Sequence, residues 1–377
     1  MTTQIPEEWV DEKTGHRVVR LSRREGDNLS WYFHNYPFCL DGGTGDGDKM
    51  VFRGQTDQGW QLFTVNLKTL ALQQITEFSG DDVKLLEVLG RKRREAFYRQ
   101  GDVVGAVNVD DGTLRQVSEL PEGFSGSLAT INSDETLIAG SYGEGKEPFL
   151  KHPRSVWFTA IYEAHLLHHL FTVDVETGAL NDFYQENNWL NHLQFSPTDP
   201  KMLSYCHEGP WHRLHRMWLM DIDAQVPHKI HERTIDMEIA GHEFWSSDGK
   251  DIWFDLQMPK GETFFLAGYN LESKEEVRYP LPAVQWSVHF TTSPDGKLFA
   301  GDGGGPNSVA KPNNGQWIYL FRPEGDRLNA ERLCCLADHD YKLEPNVHFT
   351  PDMKWIIFRS NMHGESHIYA VEIEKGS

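Results

Sequence analysis

Four histidines occupy one recurring place in this chain: His192 before Ser196-Pro-Thr198, His242 before Ser247-Asp-Gly249, His289 before Ser293-Pro-Asp-Gly296 and His348 before Thr350-Pro-Asp352. Imidazole titrates near neutral pH and ligates metals, so histidines converging on one point make acid–base machinery or a metal site. Between the first two lies His207-Glu-Gly-Pro-Trp-His212-Arg213-Leu-His215-Arg216, a local run of cationic side chains. Arginine offers a carboxylate a planar, two-point set of donors, so His207, Arg213 and Arg216 mark a place for an acidic ligand.

Convergence requires an element that repeats around an axis. Each of these turns introduces an apolar strand (KDIWFD, KLFAGD, MKWIIF), and turn-plus-strand starts recur near Asp41, Leu89-Gly90, Asp134, Pro197, Asp248, Asp295 and Asp352, roughly 45 to 60 residues apart. Most units end in a second alternating strand, such as LFTVNLKTL, LFTVDVETGAL or HIYAVEIE. The pattern predicts an all-β, seven-bladed β-propeller occupying residues 1–377 as one domain, with six or eight blades as the other counts. The chain stops three strands into its last blade, so the alternating segment 14–21 is expected to close the ring. The stretch 161–171, IYEAHLLHHLF, has helical spacing and is read as an insertion carrying His165, His168 and His169.

Composition narrows the function. A formal net charge of −20 and no basic tract beyond Arg91-Lys-Arg-Arg94 exclude a nucleic-acid partner. No stretch approaches the roughly 20 apolar residues that span a bilayer, and the N-terminus lacks an export signal, so no membrane partner and a cytoplasmic location are expected. Cys39, Cys206, Cys334 and Cys335 have neither disulfide nor zinc spacing and are read as reduced thiols. No Gly-x-Ser-x-Gly elbow is present, which argues against serine hydrolysis.

Cys206-His-Glu-Gly-Pro210, Arg216-Met-Trp218, His242-Glu-Phe-Trp245, Ser287-Val-His289 and Phe349-Thr-Pro-Asp352, with Asn188-Trp-Leu-Asn-His192, together resemble the oligogalacturonate lyase family of polysaccharide lyases. The resemblance spans most of the chain. It implies β-elimination on short galacturonides in pectin degradation, with manganese at the site. In that scheme His242 takes the C5 proton and Arg216 pairs with the substrate carboxylate, because a uronate C5–H is too weak an acid until that charge is neutralised. A water or a tyrosine, with no residue assigned, protonates the leaving oxygen. His207, Arg213, His192 and one tryptophan are expected to bind substrate. Among Trp211, Trp245 and Trp286, Trp245 is taken for stacking on a sugar ring. Di- and trisaccharides are the expected substrates, since a pocket's local field suffices for a short anion.

The metal segment departs from the family pattern. By the resemblance, His289 is one ligand, while Glu344 and Asn346 stand where the family has histidines and Tyr341 where it has glutamine. Carboxylate and amide oxygens suit Mn²⁺, so an oxygen-rich site and loss of the metal are both open, and His348 faces either way along its strand. Bland readings also stand: Arg216 pairing with Glu208 or Glu243, and histidines that only fix turns. Two other functions remain: a lyase or isomerase for another uronide, working without metal, and a non-catalytic binding propeller.

Overall fold

A computed structural model describes residues 5–80, 82–312 and 316–375. The first four residues of the N-terminal segment thus lie outside the described residues. Seven antiparallel sheets make a β-propeller. Blades 1 to 6 cover residues 28–74, 83–119, 127–186, 190–229, 239–280 and 290–335. Blade 7 joins His348–Phe349, Trp355–His363 and Glu365–Glu372 to the strand Arg17–Arg20, with Val18 opposite Val371, and Glu8–Val10 adds a fifth strand outside it. Joining the two chain regions in one sheet pairs backbone groups that would otherwise remain at an edge.

The core lies between blades. Leu170 and Ala139 of blade 3 pack with Leu190, Leu203 and Tyr205 of blade 4, and Met217 and Leu219 of blade 4 with Ile252 and Phe254 of blade 5. Strand alternation accounts for this, since successive side chains enter opposite interblade layers. The basic run at Arg91–Arg94 is a turn within blade 2, where Arg94 pairs with Asp110. All four cysteines are free. Among the described residues no helix is long and apolar enough to cross a membrane.

Two elements depart from the sequence reading. The inserted helix is Arg154–Ala164, and His168–Asp174 is a strand, so His168 and His169 sit on blade 3 rather than on a helical face. His169 lies between Glu144 and Asp182 at 3.2 and 2.8 Å. Pairing in the sheet overrode the helical spacing of a short apolar run. The second departure is in blade 1, whose innermost strand is split. Asn28–Leu29 and Phe38–Cys39 both pair with Lys49–Thr56, and the residues between them leave the sheet toward the axis.

Candidate active site

The innermost strands of blades 4 and 5 are broken where the site forms, and the chain turns just ahead of the innermost strand of blade 7. His192, His242 and Asn346 have left-handed backbone angles, φ 48°, 49° and 53°, and pairing shifts register between Asn191 and Gln194 and between Gly241 and Phe244. A bulge of this kind re-aims a side chain, here toward the axis. Gly241 has its own reason: a Cβ there would stand 2.4 Å from the Trp211 ring, which packs over the bulge.

His242 and His289 lie side by side, ring centroids 4.8 Å apart. Each is oriented by a buried aspartate on the neighbouring strand, His242 Nδ1 to Asp255 Oδ1 at 2.9 Å and His289 Nδ1 to Asp302 Oδ2 at 2.8 Å. Burial works against the His242 imidazolium, but Asp255 more than offsets it and holds the pKa above the ordinary histidine value. Among the described residues His242 Nε2 makes no hydrogen bond and is not sealed from solvent, whereas His289 Nε2 is buried without a hydrogen-bond partner.

Arg216 is buried between Glu208, 2.8 Å from Nη1, and Glu243, 3.2 Å from Nε, with the Trp211 ring 4.6 Å from its guanidinium carbon. The pairing foreseen as the bland alternative therefore exists, with both carboxylates. Among the described residues Nη2 makes no hydrogen bond, while Nε and Nη1 are both spent. Burial would raise the Glu208 carboxyl, yet Arg216 and His192 hold it far below the usual range. His192 Nε2 is 3.3 Å from Glu208.

His192, Cys206 and Glu208 offer ligand atoms within 4.8 Å of one another. Arg216 already supplies a cation to Glu208, so a metal there would face an adjacent guanidinium. The His289 side fits a metal better. Glu344 Oε2 is 3.8 Å from the orphaned His289 Nε2, and the Asp302–His289 pair is the arrangement that orients a ligating imidazole.

The other proposed ligands are differently employed. Asn346 Oδ1 accepts the Phe33 backbone N–H at 3.0 Å and its Nδ2 donates to the Glu344 carbonyl at 3.0 Å, so Asn346 ties the chain together instead of presenting a ligand. Tyr341 donates its hydroxyl to the Asp302 carbonyl. His348 points away from the site, Nε2 3.1 Å from the Asn35 carbonyl, and burial lowers its pKa to about 4.

Three expected substrate contacts lie elsewhere. His207 follows Cys206 and so projects to the opposite face of its strand, where it stacks on Trp218 and meets Glu186 at 2.5 Å. Arg213 is at the rim, paired with Glu163 of the inserted helix at 3.0 Å. Trp245 is three residues down the strand from His242, about 10 Å of extended chain. It donates to Ser204 and the Gln194 carbonyl and lines a cavity of ≈ 370 Å³ shared with Ser246, Ser247, Thr292 and His348 and bordered by Phe33 and His34. Trp211 is the tryptophan at the site. Sequence reasoning also passed over Asp255 and Asp302, although each follows its histidine by 13 residues. Tyr32 and Phe33 carried no comparable signal: Phe33 stacks on His289 at 4.7 Å and Tyr32 meets its edge at 5.2 Å.

A family model described as oligogalacturonate lyase matches residues 6–376. The chain belongs to the oligogalacturonate lyase family. Membership makes it an enzyme of the lyase class. It is 27% identical to the oligogalacturonate lyase of Dickeya dadantii (strain 3937), over 97% of this chain and 95% of that one. The oligogalacturonide lyase of Pectobacterium atrosepticum gives the same figures. A solved oligogalacturonate lyase in complex with manganese superposes with a TM-score of 0.82 at 27% identity, covering 99% of this chain and 98% of the other. The Vibrio parahaemolyticus oligogalacturonate lyase structure also gives 0.82, at 25% identity and 98% and 97% coverage.

Proposed function

We propose that this family member cleaves short galacturonides by β-elimination, with His242 as the base. The observation that carries the reading is the pair of histidines, each fixed by a buried aspartate, with the Trp211 ring packed against both His242, at 5.1 Å, and the Arg216 guanidinium, at 4.6 Å. Asp255 fixes the tautomer in which Nε2 is the free base, and it stabilises the imidazolium formed when the C5 proton arrives. Arg216 donates from Nη2 to the uronate carboxylate. Glu208 and Glu243 hold the guanidinium in place but also give the cluster a net negative charge, so one open arginine donor is a modest counter-charge.

That shortfall is where a divalent cation would matter. His289 and Glu344 would hold it, and when bound it supplies positive charge against the enolate-like carboxylate of the elimination. The mixed-charge cluster favours di- and trisaccharides over a long polyanion, which would meet the acidic surface. Ultraviolet absorbance of the conjugated product during incubation with digalacturonate tests the reading. Signal from the native chain that disappears in His242→Ala supports it, and no signal with or without added Mn²⁺ overturns it.

A further inference from the structure

Elimination from a galacturonide needs two proton-transfer groups. The C5 hydrogen and O4 stand on opposite faces of the pyranose ring, so the histidine that removes the proton cannot return it to the leaving oxygen in the same step. Expelling an unprotonated sugar alkoxide is slow, and a positioned acid removes that barrier.

The chain that leaves blade 1 brings such a group to the site. Residues 30–37 cross toward the axis and are pinned on several sides. The Tyr32 N–H donates to Glu87 at 2.7 Å and Asn35 Nδ2 to the same carboxylate oxygen at 3.1 Å. The Phe33 N–H donates to Asn346, and His348 meets the Asn35 carbonyl. These bonds fix Tyr32 with its ring 5.2 Å from His289 and 6.1 Å from His192. Burial first, then the carboxylates of Glu344, Glu243 and Asp302 against the opposing charge of Arg216, push its phenol well above the ordinary tyrosine range. Ser30 Oγ, Trp31 Nε1 and His34 Nδ1 of the segment are buried without a hydrogen-bond partner, whereas the Tyr32 hydroxyl makes no hydrogen bond among the described residues and is not sealed from solvent. A rigidly held, unbonded hydroxyl at the centre of a polar site has no structural task.

We propose that Tyr32 is the acid of the reaction, donating its phenolic proton to the leaving O4. This rests on the lyase reading above. His242 Nε2 takes the C5 proton and the C–H electron pair becomes the C4=C5 bond. The C4–O4 bond breaks with its pair on oxygen, and O4 takes the Tyr32 proton. The products are an unsaturated uronate and a sugar with a free hydroxyl. The phenolate then recovers a proton released by the imidazolium through water, so both groups are restored.

Tyr32→Phe keeps the ring against His289 and removes only the hydroxyl. Two substrates are compared: a digalacturonide, and a galacturonate whose O4 carries a nitrophenyl group, a leaving group that needs no proton. The variant should lose about 100-fold or more in kcat on the digalacturonide with KM little changed. On the nitrophenyl ether it should match the native chain. Full activity on the digalacturonide assigns protonation to water and overturns the proposal, as does an equal loss on both substrates. Failure of the native chain to form unsaturated product from any uronide is a different result, and it removes the lyase reading itself.

Discussion

His192 and His242 hold the same left-handed backbone, φ 48° and 49°, at matching places on neighbouring blades. Histidine and asparagine enter this region more readily than most residues, and β-branched ones pay heavily for it. His242→Asn should therefore keep the fold, melting close to the native chain, while elimination falls by roughly 100-fold or more because the base is gone. His242→Val should lose activity and also melt lower. Equal melting of the two variants would show that the bulge imposes no backbone demand at this position.

Asp255 sets both the orientation and the proton affinity of His242. Burial opposes the imidazolium and Asp255 outweighs it, so the native pKa is raised above 6.5. The neutral ring is the base, and activity rises with pH through that value. Asp255→Asn should shift the acid limb of kcat/KM to lower pH and lower the plateau, since the tautomer is no longer enforced. A limb that stays in place would mean that another group controls it.

The repeat period made the propeller legible and marked His192, His242 and His289, though not the outward turn of His348, because matching positions of blades face a common axis. Asp255 and Asp302 were equally legible, since each closes the apolar strand after its histidine's turn. The surroundings of Trp245 could not be read from HEFW, because its indole N–H is held by Ser204 and the Gln194 carbonyl of the neighbouring blade. Tyr32 had no signal at all: it belongs to an irregular crossing held by partners 55 and 313 residues away, Glu87 through Tyr32 and Asn346 through Phe33. No local pattern encodes such contacts.

Metal binding should depend on two residues and not on a third. Calorimetric titration of chelator-treated protein with Mn²⁺ should show binding that is lost in His289→Ala and strongly weakened in Glu344→Gln. Asn346→Ala should bind as the native chain does if it folds, because its amide is spent on Phe33 and Glu344. Chelation should depress elimination, with Mn²⁺ restoring it. Full activity after chelation, with no heat on titration, would make this a metal-independent lyase.

The connection from blade 4 to blade 5 leads into the strand that carries His242, and it is held by His231, 2.6 Å from Glu238 and 2.7 Å from Glu276. Burial opposes the His231 charge, but Glu276 and Glu238 raise its pKa above 6.5, while both carboxyls, which burial alone would raise, are held below 4.5 by His231 and their other donors. A raised histidine stabilises fully below about pH 6.5 and loses that contribution as pH climbs through its folded value. The depressed carboxylates stabilise above about pH 4.5 and lose theirs as pH falls through their folded values. The two windows overlap between about pH 4.5 and 6.5, where the cluster is worth most. His231→Gln should therefore cost up to about 3–5 kcal/mol there, the scale for removing one partner of a buried ion pair. The difference in melting temperature from the native chain should narrow as pH rises toward 9. A difference independent of pH would mean that His231 contributes only shape and carries no titrating charge in the cluster.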